Sequence, residues 1–365
     1  MRSVFVSFYS AYPPVSGAAS VTWNCARFTN GEVTLIQLGD ESREECLEGV
    51  RVITLVGQGR GLGKLVAIRR LVGEIIARCQ ATSPDVIVLE GASWAIYHAM
   101  LLRAIRKAGL RAEVWYHSHN VERILRRSRN GRVIAALTGW AEDQLLRGAD
   151  KAYAVSPVDQ QHFRELYGVE TALWPNGVDV ATFDAVTPEQ TKAIKLKYGF
   201  NHTLALFMGL YAYPPNTRAV EFLVQDVFPA VLKDRPDAKL VVIGGVIPLR
   251  RPWLMNPGII PHEELPAFIK ACDVGVAPLF DGSGTRLKIL EYMAARLPVV
   301  ATSKAAEGID ARNAAEIFIA DDATSFATCV AEAVGGSARA SQIAEAGYSM
   351  VCEKYDWRKI RCNRS

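Results

Sequence analysis

The chain has 365 residues, half of them apolar, 22% charged and 9% aromatic. At about 100 to 200 residues per domain this length implies two domains, each able to bury a core, and the composition excludes a disordered chain. A formal net charge of +4, from 42 basic and 38 acidic residues, argues against a dedicated nucleic-acid binder with a single basic field.

Short β-rich apolar runs alternate with helical patterns along nearly the whole chain. In the first half the runs begin at Val4, Val33, Val50, Asp85, Glu113, Lys151 and Thr171, with helices predicted over 62–79, 95–107 and 133–147. In the second half they begin at Leu204, Ala238, Gly258, Asp273, Leu297 and Ala315. Val- and Ile-rich strands in strict alternation with helices describe parallel sheets buried on both faces. These runs outnumber the strands of one doubly wound sheet, and the break falls near Pro175-Asn176-Gly177. The expected fold is therefore α/β, with two Rossmann-like doubly wound parallel-sheet domains facing across a cleft, over residues 1–175 and 176–345. Residues 346–365 form the remaining C-terminal segment. Ligands of such sheets bind at the carboxyl ends of the strands.

The seven cysteines are an odd number without a Cys-x-x-Cys pair, so neither a disulfide framework nor a zinc site is expected, and a reducing cytoplasm is the natural compartment. Residues 1–10 lack the charged start and apolar core of a secretory signal, and no run of about 18 apolar residues is present to span a bilayer.

Charge distribution says more than its total. Residues 1–175 hold 21 basic and 17 acidic side chains, whereas 176–365 hold 21 of each. Between Arg60 and Arg132 there are 14 basic residues against 5 acidic. This surplus reads as contact with an anionic surface or phosphate-bearing substrate, or as a solvated basic face. Within it, Leu65, Ile68, Leu71, Val72, Ile75 and Ile76 fall at helical spacing beside Lys64, Arg69, Arg70 and Arg78. That pattern suits docking on anionic lipid, and a core helix with snorkelling cations fits it almost as well.

Four stretches carry chemistry. The turn from Tyr12 to Ala19, with Gly17 at a helix start, offers backbone amides to a phosphate or acceptor. The run from Gly57 to Lys64 follows a strand and precedes a helix but matches neither a Walker loop nor a dinucleotide fingerprint, and reads as a basic loop. His117-Ser118-His119-Asn120-Val121-Glu122 closes a strand. There His119 and Asn120 suit a hydroxylated substrate better than a metal, the alternative being a helix capped by Asn120. In the fourth stretch, Gly282-Ser283-Gly284-Thr285 leads into a helix bearing Arg286, Lys288 and Glu291. Amides and cations at a helix start form an anion site, while Glu291 can accept hydrogen bonds from vicinal hydroxyls, the chemistry of a nucleotide sugar. A surface Lys288–Glu291 ion pair is the plainer alternative.

Together these residues resemble the retaining glycosyltransferases of the two-domain GT-B fold, glycosyltransferase family 4 (group 1). The resemblance rests on His119-Asn120-Val121-Glu122, Val155-Ser156-Pro157, Trp174-Pro175-Asn176-Gly177-Val178-Asp179 and Met208-Gly209 followed by Tyr213-Pro214-Pro215-Asn216. Its most specific part is the run from Gly284 to Glu291 with Pro298-Val299-Val300 behind it. It implies a nucleotide-diphosphate sugar as donor and a glycan or lipid-linked hydroxyl as acceptor, with retention of anomeric configuration and no metal or other cofactor. Donor contacts are expected from Gly209, Asn216, Ile260, Ser283, Gly284, Thr285, Arg286, Leu287 and Glu291. His119, Arg218 and Lys288 are expected to act in catalysis, the two cations by neutralising the leaving diphosphate. Glu291 matches the second Glu of the family's Glu-x7-Glu motif; the first falls at Ser283, a departure that shifts sugar contacts to amides and hydroxyls of 282–285. Arg218 is the only cation on its helix where many relatives carry an Arg and a Lys. The resemblance also implies an enzyme of polysaccharide or glycoconjugate synthesis in which residues 346–365 form a closing helix that returns to the first domain. Cysteine usage and the local basic surplus add the expectation of a cytoplasmic protein, peripheral at an anionic membrane surface, and the modest net charge that of no nucleic-acid partner. A sugar-nucleotide epimerase and a non-catalytic donor-binding assembly protein are the competing readings.

Overall fold

Nearly every apolar run becomes a strand of one of two sheets. The computed structural model describes residues 1–57, 63–91, 95–282 and 284–362. The chain divides into two units, Met1–Pro175 and a second that starts at Asn176.

The first unit holds β1 (Arg2–Val6), β2 (Glu32–Gly39), β3 (Arg43–Leu47), β4 (Val50–Val56), β5 (Val86–Gly91), β6 (Glu113–Ser118), β7 (Lys151–Ala154) and β8 (Ala172–Leu173). Their order is β3-β4-β2-β1-β5-β6-β7-β8. All neighbours are parallel except β3, which pairs antiparallel with β4. This strand was not expected: Arg43-Glu44-Glu45 sits on an exposed edge and buries no apolar face, so the hydrophobic signal is absent. The sheet reverses its winding between β1 and β5, the neighbours from which β2 and β6 extend in opposite directions.

In the second unit β9 (Leu204–Met208), β10 (Lys239–Ile243), β11 (Leu254–Gly258), β12 (Val274–Ala277), β13 (Val299–Ala301) and β14 (Phe318–Ile319) are ordered β11-β10-β9-β12-β13-β14, all parallel. β11 ends at Gly258, where the sequence pattern had a strand begin, because Leu254-Met255-Asn256-Pro257 lies half-buried at the sheet edge and shows no apolar run. Here the winding reverses between β9 and β12. The described C-terminal residues pack on the start of this unit, where Val178 donates to the Tyr355 carbonyl at 2.8 Å and Trp357 donates back to Val178 at 3.2 Å.

Two helices of the first unit correct the sequence reading. The helix Gly63–Thr82 buries Ile68, Leu71, Val72 and Ile75 in the core with Val4, Ile36 and Ile53, leaving Arg69 and Arg70 exposed. These four helix side chains pack as the core-helix reading of the pattern has them. The helix expected over 133–147 begins earlier, as Glu122–Gly148, and is broken where Gly131 adopts φ 82°, a left-handed value that favours glycine. Of the basic glycine loop, 58–62 lie outside the described residues. Among the described residues no helix is long and apolar enough to cross a membrane.

Candidate functional site

Each sheet gathers polar residues at the carboxyl ends of the strands flanking its reversal point, where an open α/β sheet leaves a crevice. In the first unit β5 is buried along its whole length and ends Leu89-Glu90-Gly91, with Glu90 directly beside His117 of β6. Glu90 is fully buried, yet its carboxylate is well supplied with partners. His119 Nε2 lies 2.5 Å and His117 Nδ1 3.2 Å from Glu90 Oε2, and the Thr22 hydroxyl donates to the same oxygen at 3.2 Å. Burial alone would raise the Glu90 pKa, but the two histidines outweigh it and hold the carboxyl well below the usual range. A carboxylate only accepts, so His119 Nε2 carries the proton of that bond. His119 Nδ1 is buried and, among the described residues, has no hydrogen-bond partner.

The neighbours fix this pair of rings. His117 stacks on Trp174, with centroids 4.3 Å apart and planes at 19°, and its Nε2 lies 3.4 Å from the Trp174 carbonyl. The helix Gly17–Arg27, started by Ser16 whose hydroxyl accepts from Ala19 N, brings Thr22 to Glu90 and Cys25 Sγ to 4.0 Å from His117 Nδ1. What this helix delivers is therefore Thr22 and Cys25, while Gly17 stands exposed at its first turn. Cys25, Glu90 and His117 place a sulfur, a carboxylate oxygen and a ring nitrogen within 4.8 Å of one another, a grouping that sequence spacing does not announce.

Behind His119, the alternative of a helix capped by Asn120 gives way to a different device. Val121 occupies the N-cap without a side-chain bond, and the amides of Glu122 and Arg123 donate instead to the buried Glu142 carboxylate at 2.8 and 3.3 Å. Tyr167 donates to the same carboxylate at 2.6 Å, and burial pushes the Glu142 pKa up to about 7. Glu142 thus anchors the backbone that follows His119 and Asn120 to the helix that comes after it.

In the second unit the site forms where β9 ends at Met208-Gly209 and the segment after β12 leads into the helix Leu287–Ala294. That helix has Arg286 at its N-cap without any side-chain cap bond, leaving amide donors at its positive end for a ligand. Thr285 is buried, and its hydroxyl has no partner among the described residues. Lys288 Nζ lies 3.2 Å from Asn216 Oδ1 and 4.2 Å from the centre of the Phe207 ring, while Asn216 Nδ2 donates to the Leu210 carbonyl at 2.9 Å. A Cβ at Gly209 would stand 2.7 Å from Asn216 Nδ2, so only glycine lets Asn216 approach the strand end. Loss of water around Lys288, reinforced by Arg286 and opposed by Glu291, pushes its ammonium down to about 7. The same crowding pushes the Glu291 carboxyl up to about 7 against the pull of Lys288. The helix is held by Tyr292, whose hydroxyl accepts from Met208 N at 2.9 Å.

The predicted residues are thus sorted by position. Gly209, Asn216, Lys288 and Glu291 converge, with Gly284, Thr285, Arg286 and Leu287 on the adjoining loop and first helical turn. Arg286 folds back, donating to the carbonyls of Gly284 at 2.7 Å and Asp281 at 3.2 Å, and so shapes the loop. Arg218 is half-exposed and paired with Asp281. Ile260 follows β11, two strands from β9, with its side chain in the core. Ser283 lies outside the described residues. Sequence reasoning missed Glu90, Thr22 and Cys25. The available signal was a carboxylate closing an otherwise apolar, fully buried strand.

Comparison with known proteins gives a consistent picture. A family model described as Glycosyltransferase Family 4 matches residues 15–182, and one described as Glycosyl transferases group 1 matches residues 202–335. The chain is 27% identical over 176 residues to the "Uncharacterized 44.6 kDa protein in cps region" of Klebsiella pneumoniae, covering 45% of each. It is 24% identical over 225 residues to the GDP-mannose-dependent monoacylated alpha-(1-6)-phosphatidylinositol monomannoside mannosyltransferase of Corynebacterium glutamicum, covering 56% of this chain and 58% of that one. The chain spans about half the length of these curated relatives. In fold it resembles Anabaena HepE, whose structure is in complex with UDP and glucose, with a TM-score of 0.77 and 15% identity over 100% of this chain and 98% of that one.

Proposed function

The chain belongs to the family 4, group 1 glycosyltransferases, and from that premise we propose that it transfers a sugar from a nucleotide-diphosphate donor to a hydroxyl of a glycan or lipid-linked acceptor. The observation that carries this reading is the convergence of Lys288, Asn216 and Glu291 beside a helix start that has amides to spare. Glycosyl transfer expels a nucleoside diphosphate, whose growing charge needs fixed donors. Lys288, the amides after Arg286, and Arg218 once released from Asp281 supply them, so side-chain and backbone charge serve the role a metal plays elsewhere. Glu291 accepts from the ribose hydroxyls, and Thr285 offers its hydroxyl to the diphosphate or the sugar.

In the first unit His119 presents Nδ1, while Glu90 holds the opposite nitrogen. That buried, partnerless nitrogen supports a role for His119 toward a substrate hydroxyl, with Glu90 as its positioning residue. The transition state is oxocarbenium-like, and the acceptor attacks from the face that the diphosphate leaves, so the anomeric configuration is retained. A lipid-linked acceptor is supported by the Corynebacterium relative, which is named for a phosphatidylinositol monomannoside.

The reading is tested by titrating UDP and GDP into the protein. Lys288→Met should weaken the better ligand by more than tenfold at neutral pH, by order of magnitude for a charge-assisted contact. Equal affinity of variant and parent contradicts the site.

A further inference from the structure

The cysteine spacing gives no zinc motif, since such motifs place two ligands on one turn of chain. The first unit instead gathers a ligand set from three separate elements. Cys25 stands in the last turn of the helix Gly17–Arg27, Glu90 near the end of β5, and His117 opposite Glu90 on β6. All three side chains are fully buried. Among the described residues no other three His, Cys, Asp or Glu side chains come close enough to share a metal ion.

The directions of the hydrogen bonds leave acceptors facing one another. His117 Nε2 lies 3.4 Å from the Trp174 carbonyl, which only accepts, so the first ring proton sits on Nε2. The neutral ring then turns its Nδ1 lone pair toward both oxygens of the Glu90 carboxylate, at 3.3 and 3.2 Å, with the Cys25 sulfur 4.0 Å away. Acceptors in that arrangement need a positive charge among them. A second ring proton supplies one unit of charge, whereas a divalent metal supplies two and a bond to each ligand atom.

The surroundings are those of metal ligands. A ligating histidine gives its other N–H to a carbonyl or carboxylate, and a ligating carboxylate is itself hydrogen-bonded. His117 meets the first condition through Trp174 and is further held by stacking on that ring, with centroids 4.3 Å apart. Glu90 meets the second through Thr22 and His119. A tetrahedral zinc ion, with bonds of about 2.0 to 2.3 Å, holds its ligand atoms roughly 3.3 to 3.7 Å apart. The ring nitrogen and the carboxylate already stand near that spacing, and the sulfur has to close by about an ångström. Thiolate, imidazole and carboxylate together suit zinc, whereas magnesium and calcium take oxygen ligands.

We propose that Cys25, Glu90 and His117 form a site for one zinc ion, and that filling it inhibits the protein. Inhibition follows because Glu90 is also the partner of His119. A carboxylate shared with a dication is a poorer acceptor for His119 Nε2, so the ring proposed to meet the substrate loses its orienting bond. The zinc takes no part in sugar transfer. Its inhibitory effect rests on the transferase reading, and its binding does not.

The full chain is stripped of metal with a chelator, incubated for hours with zinc chloride because the ligands are buried, desalted, and assayed by elemental mass spectrometry. The parent should retain one zinc ion per chain and melt at a higher temperature as zinc is raised, whereas magnesium chloride should change neither. Cys25→Ser removes the thiolate at nearly constant volume and should weaken zinc binding by more than about tenfold, a hydroxyl being a far poorer ligand. Cys46→Ser removes an exposed thiol outside the cluster and should bind as the parent does. Cobalt chloride added to the Cys46→Ser chain should give the near-ultraviolet absorption of a cobalt–thiolate bond, which tests the site even where Cys25→Ser fails to fold. No retained zinc in the parent overturns the site. So does retention in Cys25→Ser equal to the parent's, a loss that follows Cys46, or cobalt bound without that absorption. Release of nucleoside diphosphate from donor should fall at least about tenfold in the zinc-loaded parent, while Cys25→Ser given zinc should keep its own zinc-free rate. Equal rates in the loaded and metal-free parent overturn the inhibition. If the metal-free parent releases none from any donor, the transferase reading fails while the metal content still decides the site.

Discussion

One oxygen of Glu90 stands 2.5 Å from His119 Nε2 and 3.2 Å from His117 Nδ1, so a single buried carboxylate orients two imidazoles. Replacing it with an amide keeps the volume but lets the new NH2 face a ring nitrogen that is itself a donor. Glu90→Gln should lower kcat by about 10- to 100-fold, the range for loss of an orienting partner, with the donor KM changed less than about threefold. His119→Ala should fall at least as far, and the double variant no further than His119→Ala alone. Steady-state kinetics over a pH series checks this. An unchanged kcat and pH profile in Glu90→Gln removes Glu90 from its role.

The donor half should respond to pH in the neutral range. Lys288 is held down to about 7, so above that value the free protein loses the ammonium that a diphosphate needs, and binding must take up a proton. Affinity should fall by up to about tenfold per pH unit above 7. Glu291 is held up to about 7, so below that value it becomes protonated and a weaker acceptor for ribose hydroxyls. Calorimetric titration of nucleoside diphosphate should therefore find its tightest binding near pH 7. Lys288→Arg should flatten the alkaline limb, because a guanidinium stays charged, and Glu291→Gln the acid limb.

Gly209 and Asn216 make a purely steric prediction. A methyl group at Gly209 meets Asn216 at 2.7 to 2.9 Å and must push it from Lys288 and from the Leu210 carbonyl. Gly209→Ala should cost about 1 to 3 kcal/mol of stability, the range for overpacking, and weaken nucleotide binding. Denaturant melts with and without nucleoside diphosphate measure both. A variant that binds as the parent does shows that Asn216 need not stay where it is.

Glu142 anchors the segment after His119 through three hydrogen bonds. Glu142→Gln retains one acceptor oxygen and loses the bonds at the other. It should destabilise the chain by about 1 to 3 kcal/mol, the cost of leaving buried donors unpaired. The sign with pH is also set. A carboxyl raised to about 7 by burial contributes its stability at low pH and loses it as pH climbs from the unfolded value near 4.5 through 7. The parent's stability should show that decline, and the amide variant should lack this part of it.

The alternation of strands and helices is legible in the sequence because central parallel strands are buried on both faces and read as continuous apolar runs. Edge strands escape the same test. β3 is polar on an exposed margin, and β11 carries Asn256 and Pro257 in a half-buried position. The residues proposed to meet the donor are legible because Gly284, Thr285, Lys288 and Glu291 lie within one short segment, where spacing alone implies a shared helix start. Glu90 and His119 are 29 residues apart and meet only because β5 and β6 are neighbours, so no local pattern links them. The stripe from Leu65 to Ile76 has the periodicity of both a core helix and a docking helix, and it is the burial of Ile68, Leu71, Val72 and Ile75 that separates the two.

The transfer chemistry itself is tested by incubating the protein with a panel of UDP-, GDP-, ADP- and dTDP-sugars and following nucleoside diphosphate release together with the anomeric state of the sugar. One donor should be cleaved to its nucleoside diphosphate, with release lost in Lys288→Met and sharply reduced in Glu90→Gln and His119→Ala. The sugar transferred to an added acceptor should keep its anomeric configuration. Absence of cleavage for every donor, inversion of the anomeric centre, or appearance of an epimerised sugar that needs no acceptor would contradict a retaining transferase.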